Sequence, residues 1–196
     1  MSSPQPGARA PAQPQSLRDL LRRSTADLHA ALDLGLSPLF DEGERGYRSF
    51  LASSARALLP LEAALEAGGI DRVLPDWPAR SRRACLLEDL AALGIPTEDG
   101  PAGPGRIEGE AALLGTAYVL EGSRLGARQL VRLVLAHRRP GGAGTRYLSH
   151  GADRPLWRSF LEILERSLPA RREPQRTVAA ARAAFGLFQA AFVVGR

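Results

Sequence analysis

Lysine is absent from this chain, and cysteine and histidine are scarce. All 26 basic residues among the 196 are arginines, and there are only one cysteine, Cys85, and three histidines. A lone cysteine excludes an internal disulfide and a zinc or iron–sulfur site built from cysteines. The first residues lack the apolar segment of a signal peptide, and no run of about 18 apolar residues follows. We therefore expect a cytoplasmic protein that does not span a membrane.

The positive net charge says little about binding partners. The formal charge is +5 and the pI is near 10.5, values that often indicate a polyanionic partner. Here the arginines are spread along the chain, are mixed with acids and are not interleaved with aromatic residues. We expect no nucleic-acid partner.

The three histidines restrict the metal chemistry that the chain could support. No Glu-x-x-His pair is present, so a di-iron carboxylate bundle is not expected. No G-x-S-x-G motif is present, so a serine hydrolase is not expected. His137 lies in the basic segment HRRP at the predicted end of a helix, where a positive charge interacts favourably with the helix dipole. His150 is predicted to lie on a surface loop. His29, at the edge of a leucine stripe, is the remaining candidate ligand.

Apolar residues recur with helical periodicity from residue 16 onward, and no segment alternates like a strand. The 15 residues before it are rich in Pro, Gln, Ser and Ala, and we expect them to form a disordered tail. The rest, 16–196, is predicted to be one all-α domain, a bundle of about six to eight helices. The predicted helices cover about 16–34, 44–67 (with Pro60 expected to kink or divide it), 79–94, 108–138, 154–168 and 173–193, and GLSPLFDEGERG is predicted to be a loop.

Three glycines lie inside the predicted helix over 108–138, and each costs about 1 kcal/mol relative to alanine. At 3.6 residues per turn, Gly115, Gly122 and Gly126 fall on one side of this helix. Another helix or a flat ligand must approach the backbone there. The residues alone favour close packing and ligand binding equally.

His29 shares a face of the first predicted helix with Arg22 and Thr25. Two helical turns separate Arg22 from His29, which places the guanidinium on the order of 10 Å along the axis on the same side. This distance is close to that between the iron of a heme and its propionate edge, where a guanidinium suits a carboxylate. Together with the glycines, the pattern is typical of a flat metal complex held between two helices.

Two stretches carry a resemblance to a known family. LRRSTADLHAALD resembles the proximal helix of heme oxygenases, and GTAYVLEGSRLGA resembles their distal helix, above all in the bacterial members. The segments RYLSHG and WRSF and the aromatic final helix extend the resemblance over residues 16–193. It is closest to the bacterial enzymes that make biliverdin for bacterial phytochromes.

The resemblance implies a role for each matching residue. His29 would be the axial iron ligand, and Gly122 and Gly126 would be the distal glycines. Ser123 stands where animal members have an aspartate that anchors distal water, so this network would need another anchor, and Ala127 stands where a second glycine is common. The other implied heme contacts are the propionate base Arg22, a second base for which Arg132 and Arg158 are candidates, and Thr25, Tyr118, Phe185 and Phe188.

The implied reaction uses heme as both cofactor and substrate. With dioxygen and an electron donor such as a ferredoxin or a reductase, it would yield biliverdin, carbon monoxide and ferrous iron, and a bacterial phytochrome is a candidate acceptor of the biliverdin. Two alternatives stay open. One is a heme-binding or heme-sensing protein of the same fold without turnover. The other is a helical domain of the related thiamin-degrading type, although Cys85 lies in a plain amphipathic helix rather than in an acidic cluster.

Overall fold

The structure is a computed structural model that describes residues 16–97, 102–136 and 144–194. Within these ranges the chain is helical and has no strand, which confirms the all-α prediction. The predicted tail over 1–15 lies outside the described residues. The α-helices are α1 (Leu17–Ser24), α2 (Ala26–Asp41), α3 (Gly43–Ala67), α4 (Arg83–Ala92), α5 (Glu110–Ala136), α6 (Arg146–Ser149), α7 (Leu156–Arg166), α8 (Leu168–Arg172) and α9 (Pro174–Val194).

The first predicted helix is divided, and this corrects the expectation of one helix over 16–34. Ser16 caps α1 by accepting a hydrogen bond from the Asp19 N–H at 3.1 Å. At Thr25 the backbone leaves helical geometry, with φ −120° and ψ 3°, and the buried hydroxyl donates to the Leu21 carbonyl at 2.8 Å. Such a local bond offers the backbone an alternative to the helix ladder. The chain then turns into α2, which carries His29.

Other boundaries also differ from the prediction. The segment GLSPLFDEGERG is mostly helical, because α2 continues to Asp41 and α3 begins at Gly43. Pro60 lies inside α3 without dividing it. The short helices α6 and α8 fall in segments that were predicted to be loops, so the described residues contain nine α-helices rather than six to eight. Packing against neighbouring helices stabilises segments whose own propensity is weak.

Helix α9 is at the centre of the bundle and packs against α5, α3, α2 and α1. Close contact with α5 depends on Gly115, because a Cβ there would lie 2.1 Å from the Thr177 carbonyl oxygen of α9. Phe185, Phe188 and Phe192 of α9 are buried in the hydrophobic core. In the part of the chain that the structure describes, no helix has the length and apolar character needed to cross a membrane.

Candidate functional site

A cavity of about 930 Å³ opens between α1, α2, α5 and α9. This volume falls within the range of about 300–1,000 Å³ that is typical of ligand and cofactor sites. Most of the side chains that were predicted to bind a ligand meet here, although they come from three separate parts of the sequence. They are Arg22, Thr25, His29, Tyr118, Gly122, Ser123, Gly126, Phe185 and Phe188.

The His29 side chain lines the cavity and contacts a carboxylate of the same helix. The imidazole Nδ1 lies 2.9 Å from Asp33 Oδ2, one turn later in α2, and the two side chains are 64% and 63% exposed. In a neutral imidazole, a proton on Nδ1 that is donated to Asp33 leaves the lone pair on Nε2. Phe185 contacts the ring edge-on, with the ring centroids 5.9 Å apart. In this tautomer, Nε2 is the ring nitrogen with an available lone pair.

The three glycines of α5 do not have one common role. Gly115 accommodates α9, as the packing interpretation predicted. A Cβ on Gly122 would meet Trp157 at an ordinary distance of 3.7 Å, and a Cβ on Gly126 would find no atom within 4 Å. Gly122 and Gly126 line the cavity, so their end of the helix offers bare backbone to an open space. The packing interpretation holds for Gly115, and ligand binding at Gly122 and Gly126 stays a prediction.

Two arginines of α1 border one edge of the cavity. Arg18 and Arg22 are one turn apart and both line it. Both act on Tyr118 across the cavity, where burial raises the pKa of the phenol and the two guanidinium charges oppose that rise. Arg158 is 84% exposed, pairs with Glu162 and does not line the cavity. The second base at this edge is therefore Arg18, next to Arg22 in α1, and not the later residue Arg158.

Arg132, the other candidate for the second base, belongs to α5, but its side chain lies outside the described part of the structure, as does His137 entirely.

Helix α9 holds the start of α2 in place. Arg182 of α9 forms two hydrogen bonds of 2.9 Å to the Asp27 carboxylate and also donates to the Ser24 carbonyl. Gln189 Nε2 donates to the Leu28 carbonyl at 3.3 Å. Thr25 lies at this joint, and its hydroxyl is used within α1. It lies at the break between α1 and α2 and lines the cavity.

The opposite wall of the cavity is polar. Ser123 Oγ accepts a hydrogen bond from Arg82 Nη2 at 2.9 Å and donates to the Leu120 carbonyl at 2.8 Å. The Arg82 guanidinium carbon lies 5.0 Å from the centroid of the Tyr147 ring. All of these side chains except Leu120 line the cavity. The hydroxyl that replaces the expected aspartate is therefore joined to a buried cation.

A second layer of charges lies behind this wall. The buried carboxylate of Glu121 pairs with Arg80 Nη1 at 2.9 Å and with Arg124 Nη2 at 3.0 Å. Arg124 Nη1 also lies 3.1 Å from His150 Nδ1. Burial, and then the charge of Arg124, lowers the pKa of His150. The prediction that His150 lies on a surface loop is wrong in this respect, because the ring is half-buried against Arg124.

Three residues at the site were missed in the sequence. Arg18 and Asp33 could have been found, since each lies one helical turn from a predicted residue, Arg22 or His29, on the same face. No local signal marks Arg82. Its contacts with α5 join residues about 40 positions apart.

The chain is similar to proteins of one family. It is 35% identical over 144 residues to a heme oxygenase of Xanthomonas campestris pv. campestris, and the aligned stretch covers 72% of this chain and 86% of the relative. It is 30% identical over 122 residues to heme oxygenase PigA of Pseudomonas aeruginosa, covering 61% and 62% of the two chains. No protein-family model matches the sequence.

Two solved structures share the fold. The heme oxygenase of Neisseria meningitidis, solved with NO and CO bound, superposes with a TM-score of 0.77 at 22% identity, over 93% of this chain and 92% of that one. The heme oxygenase of Leptospira interrogans superposes with a TM-score of 0.70 at 22% identity, over 91% and 98%. At this level of identity the likeness extends to the fold.

Proposed function

This chain belongs to the heme oxygenase family, and we propose that it cleaves heme with dioxygen and electrons to biliverdin, carbon monoxide and ferrous iron. The observation that carries the proposal is the pairing of His29 with the open backbone of α5 across one cavity. An electron donor such as a ferredoxin or a reductase would supply the electrons. The reaction would serve to release iron or to deliver biliverdin to a bacterial phytochrome.

The residues present fit a heme. The iron of a heme takes a protein ligand, and His29 would offer Nε2 because Asp33 engages Nδ1. Gly126 leaves open the space that a Cβ would fill. The apolar side chains of Phe185 and Phe188 form the wall contributed by α9.

The carboxylates of a heme would meet positive charge at one edge. Arg18 and Arg22 face the cavity at its α1 side, where guanidinium groups form charge-assisted pairs with carboxylates. Two contacts at one edge would fix the in-plane orientation of the macrocycle. That orientation decides which meso carbon faces the reacting oxygen.

When bound, heme supplies both the iron that activates dioxygen and the macrocycle that is opened. The residues of the chain would position the macrocycle and shield it from water. His29 would hold the heme from the α2 side, and Gly122 and Gly126 would leave room for a diatomic molecule on the α5 side. The phenylalanines of α9 would keep bulk water from the macrocycle.

The test is the conversion of hemin by the purified chain under air with a reductant. We expect one equivalent of hemin to bind with a histidine-ligated spectrum, and biliverdin and carbon monoxide to form. His29→Ala should lose the ligation and the turnover, whereas His150→Asn, which removes the other described histidine, should keep both. Hemin bound through His29 without biliverdin would instead identify a heme-binding or heme-sensing protein of the same fold.

A further inference from the structure

Arg82 has donor capacity that the folded chain does not use. The residue directly precedes α4, is 2% exposed and lines the cavity. Its side-chain hydrogen bonds run through Nη2, to the Leu120 carbonyl and to Ser123 Oγ, both at 2.9 Å. Nε is buried and has no partner among the described residues. A buried donor without a partner is rare in folded proteins and indicates a function or a bound group.

Within the described residues, the lack of a carboxylate partner distinguishes Arg82 from Arg80 and Arg124, the two buried arginines behind the cavity wall. Arg80 and Arg124 share the carboxylate of Glu121, and Arg80 is also paired with Asp76. In the described ranges, the Arg82 guanidinium has no carboxylate partner. The ring face of Tyr147, 5.0 Å away, offsets part of the cost of burying this cation. A buried cation with only neutral partners favours the arrival of an anion.

The Ser123 hydroxyl lines the cavity, but its hydrogen bonds are made within the protein. Its oxygen accepts the Arg82 hydrogen bond, and its proton is donated to the Leu120 carbonyl. The hydroxyl therefore orients the guanidinium but has no proton left to donate toward the cavity. Of the two hydrogen-bonded side chains, Arg82 is therefore the one that keeps an unused donor, at Nε.

We propose that Arg82 binds and orients negative charge on the α5 side of the cavity, whether a small inorganic anion or a negatively charged oxygen held opposite His29. The assignment deepens the proposed function and rests on it. The resemblance calls for an anchor other than the aspartate that animal members have at the position of Ser123, and Arg82, oriented by Ser123, would serve as this anchor.

The probe is fluoride, titrated into the ferric hemin complex of the full chain and followed by absorbance. Arg82→Met removes the charge with similar volume, and Arg82→Gln is a second neutral variant whose amide can still donate to the Leu120 carbonyl. We expect either substitution to weaken fluoride binding about tenfold or more, since hydrogen bonds to charged groups are the strong ones. Carbon monoxide, a neutral ligand of the ferrous complex, should bind within about threefold of the parent affinity.

The matched control is Arg106→Gln. Arg106 is 80% exposed and pairs with Glu108 outside the cavity, so this variant loses the same charge and should bind fluoride like the parent. Unchanged fluoride affinity in a folded Arg82 variant that still binds hemin would overturn the inference. Equal losses for fluoride and carbon monoxide would also overturn it, because they would show general damage to the site. A parent chain that does not take up hemin would reject the proposed function, and the inference would fall with it.

Discussion

Asp33 Oδ2 lies 2.9 Å from His29 Nδ1, four residues away on the same face of α2. The carboxylate has two consequences for the imidazole. In a neutral imidazole it favours the tautomer with the lone pair on Nε2, and its negative charge makes the ring a stronger electron donor. The predicted ligand and its supporting group are therefore built into one helical turn.

Removal of this carboxylate should weaken the bond between His29 and iron. We expect Asp33→Ala to bind hemin with roughly tenfold lower affinity, at the low end for such partners because both side chains are largely exposed. The iron–histidine stretching frequency of the ferrous complex, measured by resonance Raman spectroscopy, should fall. Asp71→Ala, which removes an exposed acid from the turn Ile70–Arg72, is the control. Identical frequencies in parent and variant would leave Asp33 without influence on the ligand.

The glycines of α5 and α9 should separate in a stability series. Gly115→Ala should destabilise the fold by about 1–3 kcal/mol, because the new Cβ would lie 2.1 Å from the Thr177 carbonyl. Gly126→Ala and Gly186→Ala meet no atom within 4 Å, so each should stabilise the fold by about 0.5–1 kcal/mol. Thermal unfolding without heme measures all three. A destabilised Gly126→Ala would show that the helix needs this glycine for packing.

A larger side chain at Gly126 should separate folding from function. We expect Gly126→Leu to be folded, since leucine is the better helix former, but to lose biliverdin formation or to divert the reaction to peroxidase-like chemistry. Gly186→Ala, whose position does not line the cavity, should form biliverdin like the parent. Product chromatography after one turnover makes the comparison. Normal biliverdin yield from Gly126→Leu would assign this glycine to packing alone.

Arg18 and Arg22 should share the propionates. We expect Arg22→Glu or Arg18→Glu to weaken hemin binding roughly two- to fivefold, a value discounted for the exposure of both side chains. The double substitution should weaken it further and shift the ratio of biliverdin isomers. Arg23→Glu reverses a charge on the same helix outside the cavity. If that control weakens binding equally, the effect is long-range electrostatics and not a contact.

His150 should make the fold sensitive to mild acid. Because its pKa in the folded chain is lowered below the ordinary value of about 6.5, the unfolded chain binds the proton more readily. Stability is therefore full above pH 6.5 and falls as the pH drops through 6.5 toward the folded pKa. His150→Asn should show a smaller loss of melting temperature between pH 7 and pH 5. Parallel curves for parent and variant would mean that His150 binds its proton equally in both states.

The sequence by itself determined the helical class, the main helices and the local patterns within them. Helical periodicity predicted α3, α5, α7 and α9 close to their observed bounds. The same spacing placed Gly122 beside Gly126 on one face of α5, whereas Arg22 and His29 lie on two helices, α1 and α2, that meet at Thr25. These features depend on interactions between residues three or four positions apart, which a helix makes wherever it lies.

Tertiary structure decided the rest. It assigned Gly115 to the contact with α9 and left Gly126 facing the cavity, although the two glycines share one face of α5. It brought Arg18, and not Arg158, to the edge of the cavity. It also set Arg82 against Ser123 and gave Glu121 to Arg80 and Arg124. The physical reason is that a buried charge takes its partner from whichever helix packs nearest, and no spacing along the chain specifies that neighbour.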